Sequence, residues 1–179
     1  FEADDVIGTL ARRLAADGDR VIVVTGDRDL FQLVDDRVRV AYLARGVARH
    51  ELVDDEWLLT RYGIRGSQYA DFATLRGDSS DGLPGVRGIG EKTAALLLNR
   101  HGDLDGLLAA ASDSASGLPL RQRLQLGEAG DYLARARQVV VTAEVELPQL
   151  DAELRPGRAD LVRCRELAGR PPGGGPLGR

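Results

Sequence analysis

The sequence predicts an α/β fold, and three features carry that expectation. An apolar stripe at helical spacing runs through residues 3–17, Val21-Ile22-Val23-Val24 is an unbroken β-branched run, and a second strand-like stretch, Val38 to Leu43, follows beyond a short helix. Strand, helix and strand in this order indicate a sheet layered with helices.

Val6, Ile7, Leu10 and Leu14 share one face of the first helix, with Arg12, Arg13 and Asp17 elsewhere, and Gly18 closes it. The Val21–Val24 run has no polar alternation, which predicts a strand covered on both faces, as in a parallel sheet. Gly26 turns the chain, and Asp29-Leu30-Phe31-Gln32-Leu33 begins a short helix. After Val38 to Leu43, Arg45-Gly46 makes a turn and Val47 to Leu52 reads as a third, more exposed strand. From there the pattern is helical. Asp54 can cap a helix to Tyr62, ended by Gly63, and Ser67 can cap another to Leu75. The turn-rich stretch Gly77 to Gly85 leads through Gly88-Ile89-Gly90 into a strong helix from Glu91 to Asn99, whose Ala94, Leu97 and Leu98 form an apolar face. Residues 103–111 and 118–138 read as helices. Val139 to Val145 is apolar enough for a last strand or for an extended segment returning to the sheet. From Pro171 the Gly- and Pro-rich tail predicts disorder. No internal repeat is evident.

A chain of 179 residues with 43% hydrophobic content can bury a core, and with aromatics at 4% that core must be largely Leu, Val, Ile and Ala. No apolar run has transmembrane length and no signal-peptide pattern opens the chain, so no membrane partner is expected. The single cysteine, Cys164, cannot form an internal disulfide, and a reducing cytoplasm is the simple inference. Methionine is absent even at position 1, and Phe1-Glu2-Ala3-Asp4-Asp5 reads as the opening of a helix already under way, so a true N-terminus upstream is expected. Of 24 Lys and Arg residues only Lys92 is a lysine, a bias typical of GC-rich coding sequence.

The formal net charge of -4 counts at first sight against a nucleic-acid partner. It has to be read by region. Closely spaced carboxylates occur in three places: Glu2/Asp4/Asp5, Asp27/Asp29 and Asp78/Asp81. Each has an ordinary explanation, as helix-end dipole compensation or as turn residues. Their placement suggests more. Asp27 and Asp29 follow directly on the Val21–Thr25 strand, at the sheet edge where α/β folds bind ligands. Glu2 and Asp5 share a helix face, with Asp4 pointing away unless the first turn is irregular. Crowded carboxylates raise one another's pKa and destabilise a fold unless cations intervene. An all-oxygen donor set favours Mg²⁺, with Mn²⁺ the alternative, over zinc. Two such ions about 4 Å apart can activate a water and stabilise a leaving oxygen in phosphodiester cleavage. Without these seven acids the rest of the chain is +3, a mildly basic protein around an acidic centre.

The segment Pro84 to Ala94 is the most specific. Gly85, Gly88 and Gly90 permit a tight turn with backbone N–H groups outward, the following helix adds its positive end, and Lys92 lies one turn in. This arrangement suits a phosphate backbone held without reading bases. It is not a Walker A loop, because Glu91 separates Gly90 from Lys92. A purely structural helical hairpin is the simpler explanation of a bare Gly-x-Gly, and the accompanying Pro, Lys and Thr argue beyond it.

Four segments together, Phe1–Asp5, Thr25-Gly26-Asp27-Arg28-Asp29-Leu30, Gly77-Asp78-Ser79-Ser80-Asp81-Gly82-Leu83-Pro84-Gly85-Val86 and Gly88-Ile89-Gly90-Glu91-Lys92-Thr93-Ala94, resemble the successive motifs of bacterial 5′→3′ exonucleases. That family includes the 5′-nuclease domain of DNA polymerase I and stand-alone flap-endonuclease-like enzymes. The resemblance covers residues 1 to about 145. It implies an α/β fold with an incomplete PIN-like three-layer core and a helix–three-turn–helix (helix-hairpin-helix) DNA-binding subdomain. The implied organisation is 1–62 for the C-terminal part of the nuclease core, 63–112 for the DNA-binding subdomain, 113–150 for helices and a segment returning to the core, and 151–179 for an extension. By resemblance, Glu2, Asp4 and Asp5 serve mainly one metal position, and Asp27, Asp29, Asp78 and Asp81 the second. Gly85, Val86, Gly88, Ile89, Gly90, Lys92 and Thr93 grip duplex DNA, with a K⁺ ion on the hairpin carbonyls. The implied activity is two-metal hydrolysis of DNA at 5′ ends or flaps, by a monomer, in replication and repair. The family has further acids and a basic arch upstream of the matched region, so the chain alone is expected to be inactive, and its short tail favours a stand-alone exonuclease over a polymerase fragment. The rival expectations are a non-catalytic helix-hairpin-helix module, whose acids serve only structure, and a PIN-type ribonuclease.

Overall fold

In the computed structural model, which describes residues 1–148, a three-stranded sheet lies among helices that supply most of the chain. The chain divides into two units, Phe1–Val145 and Glu146–Arg179; every element named below belongs to the first. The elements are α1 (Ala3–Ala16), β1 (Val21–Thr25), β2 (Val38–Tyr42), β3 (Glu51–Val53), α2 (Asp55–Tyr62), α3 (Tyr69–Arg76), α4 (Glu91–His101), α5 (Leu104–Ser112), α6 (Leu120–Glu128) and α7 (Gly130–Val140).

β1 and β2 pair in parallel, with Val21 opposite Val38 and Thr25 opposite Tyr42. The crossover between them contains a 3₁₀ turn, Asp29–Leu33, whose Leu30 and Phe31 are fully buried. β3 pairs antiparallel to β2 and gives the order β1-β2-β3. The expectation that β1 is covered on both faces is not met. Val23 is 5% exposed, but Ile22 and Val24 are 61% and 63% exposed. Among the described residues nothing covers the face of β1 that carries Ile22 and Val24, and a β-branched run suits the pleat whether one face or both are covered. The third strand is shorter than expected. Gly46, at φ 86°, starts a 3₁₀ turn over Val47–Arg49, and pairing begins only at Glu51.

Asp54 caps α2, accepting from the Trp57 N–H at 2.9 Å, and Gly63 ends the helix in the left-handed region. Ser67 does not cap α3 as expected. A 3₁₀ turn, Gly66–Gln68, precedes that helix, and Asp55 accepts from the Gly66 N–H at 2.8 Å. The helix expected over 118–138 is two helices meeting at Ala129, where Gly127 and Gly130 weaken helical continuity. Val139 and Val140 close α7. The segment after them is extended but joins no strand; its backbone is held by α1 and the Asp29–Leu33 turn. The tail from 171 lies outside the described residues.

The scarce aromatics are concentrated. Phe31, Tyr42, Trp57, Tyr62, Tyr69 and Phe72 contact one another with ring centroids 5.1–6.1 Å apart, mostly edge to face. This cluster, and not aliphatic packing alone, joins the sheet to α2 and α3. The buried Asp71 on α3 accepts from the Leu104 N–H at 2.9 Å at the start of α5 and faces Arg137 of α7 at 3.8 Å. Burial pushes its carboxyl up, against the pull of that N–H. Among the described residues no helix is long and apolar enough to cross a membrane.

Gly66 shows how tightly α3 is seated, since a Cβ there would lie 2.1 Å from the Val34 carbonyl oxygen. Gly66→Ala should therefore cost on the order of 2–3 kcal/mol through forced backbone displacement; urea unfolding with an unchanged midpoint would contradict the packing described.

Candidate functional site

The C-terminal end of β1 opens into a cleft of about 780 Å³. Asp27 and Asp29 form one side, Asp78 and Asp81 the other, with Arg28 and Arg76 among them. A second cavity of about 590 Å³ shares Asp27, Asp29 and Asp81 and adds Glu2, Asp4 and Asp5 from the start of α1. All seven sequence-predicted acids therefore line two adjoining cavities. They are not drawn into one tight knot: among the described residues no three Asp, Glu, His or Cys groups stand ready to hold a single ion.

Local chemistry fixes most of the acids. The Asp27 carboxylate accepts from the Asp29 N–H at 3.0 Å, and the Asp27 N–H donates to the Thr25 hydroxyl at 3.0 Å. Asp78 accepts from the Ser80 N–H at 2.9 Å and from the Ser80 hydroxyl, and it pairs with Arg76 at 3.3 Å. The Ser80 hydroxyl bond, with help from the Ser80 N–H and Arg76, holds the Asp78 carboxyl below its ordinary value. Both Asp5 oxygens accept backbone N–H bonds, one from Glu2 at 2.9 Å and one from Ala143 at 2.8 Å, which also lower its pKa. Asp4 moves the other way, raised by burial and by the charges of Asp27, Glu2 and Asp5.

Asp29 is the exception with consequences. Burial first, then a side-chain hydrogen bond with Asp81 and the charges of Asp81, Asp27 and Asp78, push its carboxyl from 3.8 up to about 7. A carboxyl poised near neutrality is a mark of functional sites.

Several residues that sequence reasoning missed position this site. Gln32 donates to the Asp29 and Val140 carbonyls at 2.8 and 2.9 Å and accepts from the Thr142 N–H at 3.0 Å. The Thr9 hydroxyl donates to the Asp5 carbonyl at 2.7 Å and accepts from the Val145 N–H at 3.0 Å. Gln32 and Thr142 lie 110 positions apart, so no local pattern could pair them. Arg28 and Arg76 were legible in principle, each being a cation adjoining an acidic motif.

Beyond the cleft, the glycine hairpin differs in part from the sequence expectation. Val86 and Ile89 are 4% and 3% exposed, so their side chains anchor the hairpin in the core and are not offered to a ligand. Gly85 is needed for packing: at φ 73° its Cβ would lie 2.3 Å from the Arg76 carbonyl oxygen. Its N–H donates to the Tyr132 hydroxyl at 2.9 Å, which in turn donates to the Thr74 carbonyl at 3.0 Å. What the hairpin offers outward is Gly88, Gly90 and Lys92, all exposed, and the half-buried Thr93. The first helical bond of α4 runs from the Ala94 N–H to the Gly90 carbonyl at 2.9 Å, so the amides ahead of Ala94 have no helical acceptor. Helix N-termini in general are able to accept an anion.

An α/β layer with a carboxylate cleft at the end of a strand, followed by a glycine hairpin that leads into a run of helices, is the class of architecture the chain presents. The chain belongs to the 5′-3′ exonuclease family: the family model for the N-terminal resolvase-like domain matches residues 1–63, and that for the C-terminal SAM fold matches residues 64–161. It is 52% identical over its whole length to a 5′-3′ exonuclease of Streptomyces coelicolor, covering 60% of that protein. It is 48% identical to a 5′-3′ exonuclease of Mycobacterium tuberculosis, over 95% of this chain and 56% of the relative. The chain thus spans somewhat over half the length of these curated relatives. Among solved structures, T5 5′-exonuclease with bound divalent metal ions (zinc) superposes with a TM-score of 0.64 at 19% identity, over 78% of this chain and 49% of that one. The catalytic core of Rad2 in complex with DNA substrate gives 0.51 at 18% identity, over 93% and 55%. At these identities the likeness is one of fold.

The Asp29 carboxyl makes a signed prediction. Above pH 7 it is ionised in both folded and unfolded chains, and the folded state bears the full penalty. Between about 7 and 3.8 only the unfolded carboxyl is ionised, so this group's contribution to stability improves as pH falls through 7. In EDTA, Asp29→Asn should be more stable than the parent at pH 8, on the order of 1–2 kcal/mol once solvent screening is allowed for. The advantage should shrink below pH 7 and vanish near 4. Melting curves across that range check it, and a pH-independent difference would contradict the assignment.

Proposed function

We propose that this protein hydrolyses DNA phosphodiester bonds at 5′ ends or flaps, acting as a monomer with two Mg²⁺ ions, for which Mn²⁺ can substitute. The observation that supports this most is the setting of Asp29, a carboxyl pushed up to about 7 by burial first and then by its neighbours Asp81, Asp27 and Asp78. Such crowding fits a site meant for divalent cations, and the donors are all hard oxygens. Family membership and the outward-facing hairpin supply the substrate class.

Asp27, Asp29, Asp78 and Asp81 would hold one ion and Glu2, Asp4 and Asp5 the other. Asp27, Asp29 and Asp81 face both cavities and so stand between the two positions. Bound cations would lower the pKa of the attacking water and stabilise the leaving oxygen. The chain's own residues do the rest. Asp5, through the Glu2 and Ala143 amides, ties the start of α1 to the returning segment, and Asp78, through Ser80 and Arg76, fixes the loop after α3. Arg76 and Arg28 place positive charge beside the acids, where a phosphate must approach. Gly88, Gly90, Lys92 and Thr93 hold the duplex backbone, while Gly85, Val86 and Ile89 shape the hairpin that presents them. Hairpin carbonyls offer oxygen ligands for K⁺. A non-catalytic DNA-binding module is the second reading, favoured by one observation: no three acids already stand at single-ion spacing among the described residues.

Substitution in the full-length protein separates these. Asp27→Asn with Asp29→Asn should reduce Mg²⁺-dependent cleavage of a 5′-flap DNA by roughly a hundredfold or more, as disturbed metal sites do, while duplex binding in EDTA persists. Unchanged cleavage would end the assignment of these two acids. Absence of cleavage by the parent protein favours the binding module, and preference for single-stranded RNA favours a ribonuclease. Lys92→Ala should weaken duplex binding and reduce the slope of log affinity against log salt by about 1; electrophoretic mobility shifts over a salt series measure it.

A further inference from the structure

On the far side of Tyr42 from the acidic cleft lies a separate cavity of about 280 Å³, close to the lower limit for small-ligand pockets. It sits between β2, the loop leading to β3, and α2. Its chemistry is opposite to that of the cleft. Arg28, Arg45 and Arg61 line it, and Tyr42, Trp57 and Tyr62 contribute aromatic surface. All three arginines are exposed, and among the described residues none is paired with a carboxylate. Two are nevertheless held in place. Arg28 donates to the Tyr42 hydroxyl at 2.8 Å, and the Arg61 guanidinium lies 5.3 Å from the centre of the Tyr62 ring. Trp57 is half-buried, fixed from behind by edge-to-face contacts with Phe31 and Tyr62, and turns its remaining surface to the cavity. Arg28 and Tyr42 also line the acidic cleft, so the two cavities share a wall.

We propose that this basic, aromatic-floored cavity is a subsite for one unpaired nucleotide of a DNA strand whose neighbouring phosphate lies in the acidic cleft. Unpaired bases stack on aromatic rings and on guanidinium planes, and arginine forks bind phosphate oxygens in two-pronged fashion. A cavity that combines these groups at nucleotide size suits an unpaired nucleotide better than a duplex, whose bases are already stacked. Glu51, the only carboxylate on its wall, and the Thr60 hydroxyl can accept from a base amine. That the occupant is DNA rests on the proposed nuclease function; the preference for a flat ring joined to an anion rests on the pocket alone.

Trp57 is the only tryptophan in the sequence, so its fluorescence reports this cavity directly. In EDTA, titrating the 179-residue chain with a short oligothymidylate should quench Trp57 in a saturable way, and a blunt duplex should quench it far less. Arg45→Ala with Arg61→Ala should weaken the oligothymidylate response at least roughly fivefold, the scale of two lost charge-assisted contacts, with an unchanged melting temperature confirming the fold. Absence of quenching overturns the proposal, as does equal quenching by polyglutamate, which marks a generic anion trap. Equal affinity of the double variant overturns it too. The outcome is separable from that of the cleavage test. Quenching without metal-dependent cleavage leaves the subsite standing and the nuclease function refuted, and cleavage without quenching does the reverse.

Discussion

Carboxylates confined around a half-buried cleft repel one another, and the surrounding structure is organised to hold them there. Asp27 is tied by the Asp29 amide, Asp78 by Ser80 and Arg76, and Asp5 by the amides of Glu2 and Ala143. For Asp5 and Asp78 these bonds favour the charged form and offset part of the repulsion. Asp29 and Asp4 carry the unrelieved remainder: the Asp29 amide serves Asp27 while its carboxyl meets Asp81, and Asp4 stands among Asp27, Glu2 and Asp5. The cleft is thus a place where negative charge is concentrated and only partly neutralised, and an added cation would relieve that repulsion.

That concentration persists because rigid packing lies directly behind it. The six-ring aromatic cluster joins β2, the Asp29–Leu33 turn, α2 and α3. α3 then ends at Arg76 and passes straight into the loop that carries Asp78 and Asp81. The same helix end touches the hairpin, through Gly85 against the Arg76 carbonyl and through the Val86 N–H to the Leu75 carbonyl at 2.9 Å. Cleft and hairpin are therefore two outgrowths of one helix terminus, and their separation is fixed by backbone contact.

Much of this was legible in the amino-acid sequence where the signal is local. Asp54 as a cap, Gly63 as a stop, the β1 and β2 strands and the acids after β1 all follow from short-range chemistry. Features set by tertiary contact were not. The exposure of Ile22 and Val24 depends on what packs over the sheet, which a β-branched run does not encode. The true start of α3 depends on Asp55 reaching Gly66 from the preceding helix. Val86 and Ile89 sit within a motif that suggests ligand contact, yet their bulk goes inward; only Gly88, Gly90, Lys92 and Thr93 have the exposure the motif implies. Gln32 was read simply as part of a short helix, and its bonds to the Val140 carbonyl and to the Thr142 N–H and hydroxyl need partners distant in sequence.

Lys92 stands at the first turn of α4, exposed, in a chain whose other cationic side chains of the Lys/Arg type are all guanidinium groups. It is therefore the sole side-chain amine within these 179 residues. Acylating reagents, which leave guanidinium groups largely untouched, will modify the hairpin at this one side-chain address, and a ligand seated there will shield it. The rate at which that amine is consumed is a footprint of hairpin occupancy that needs no engineered label.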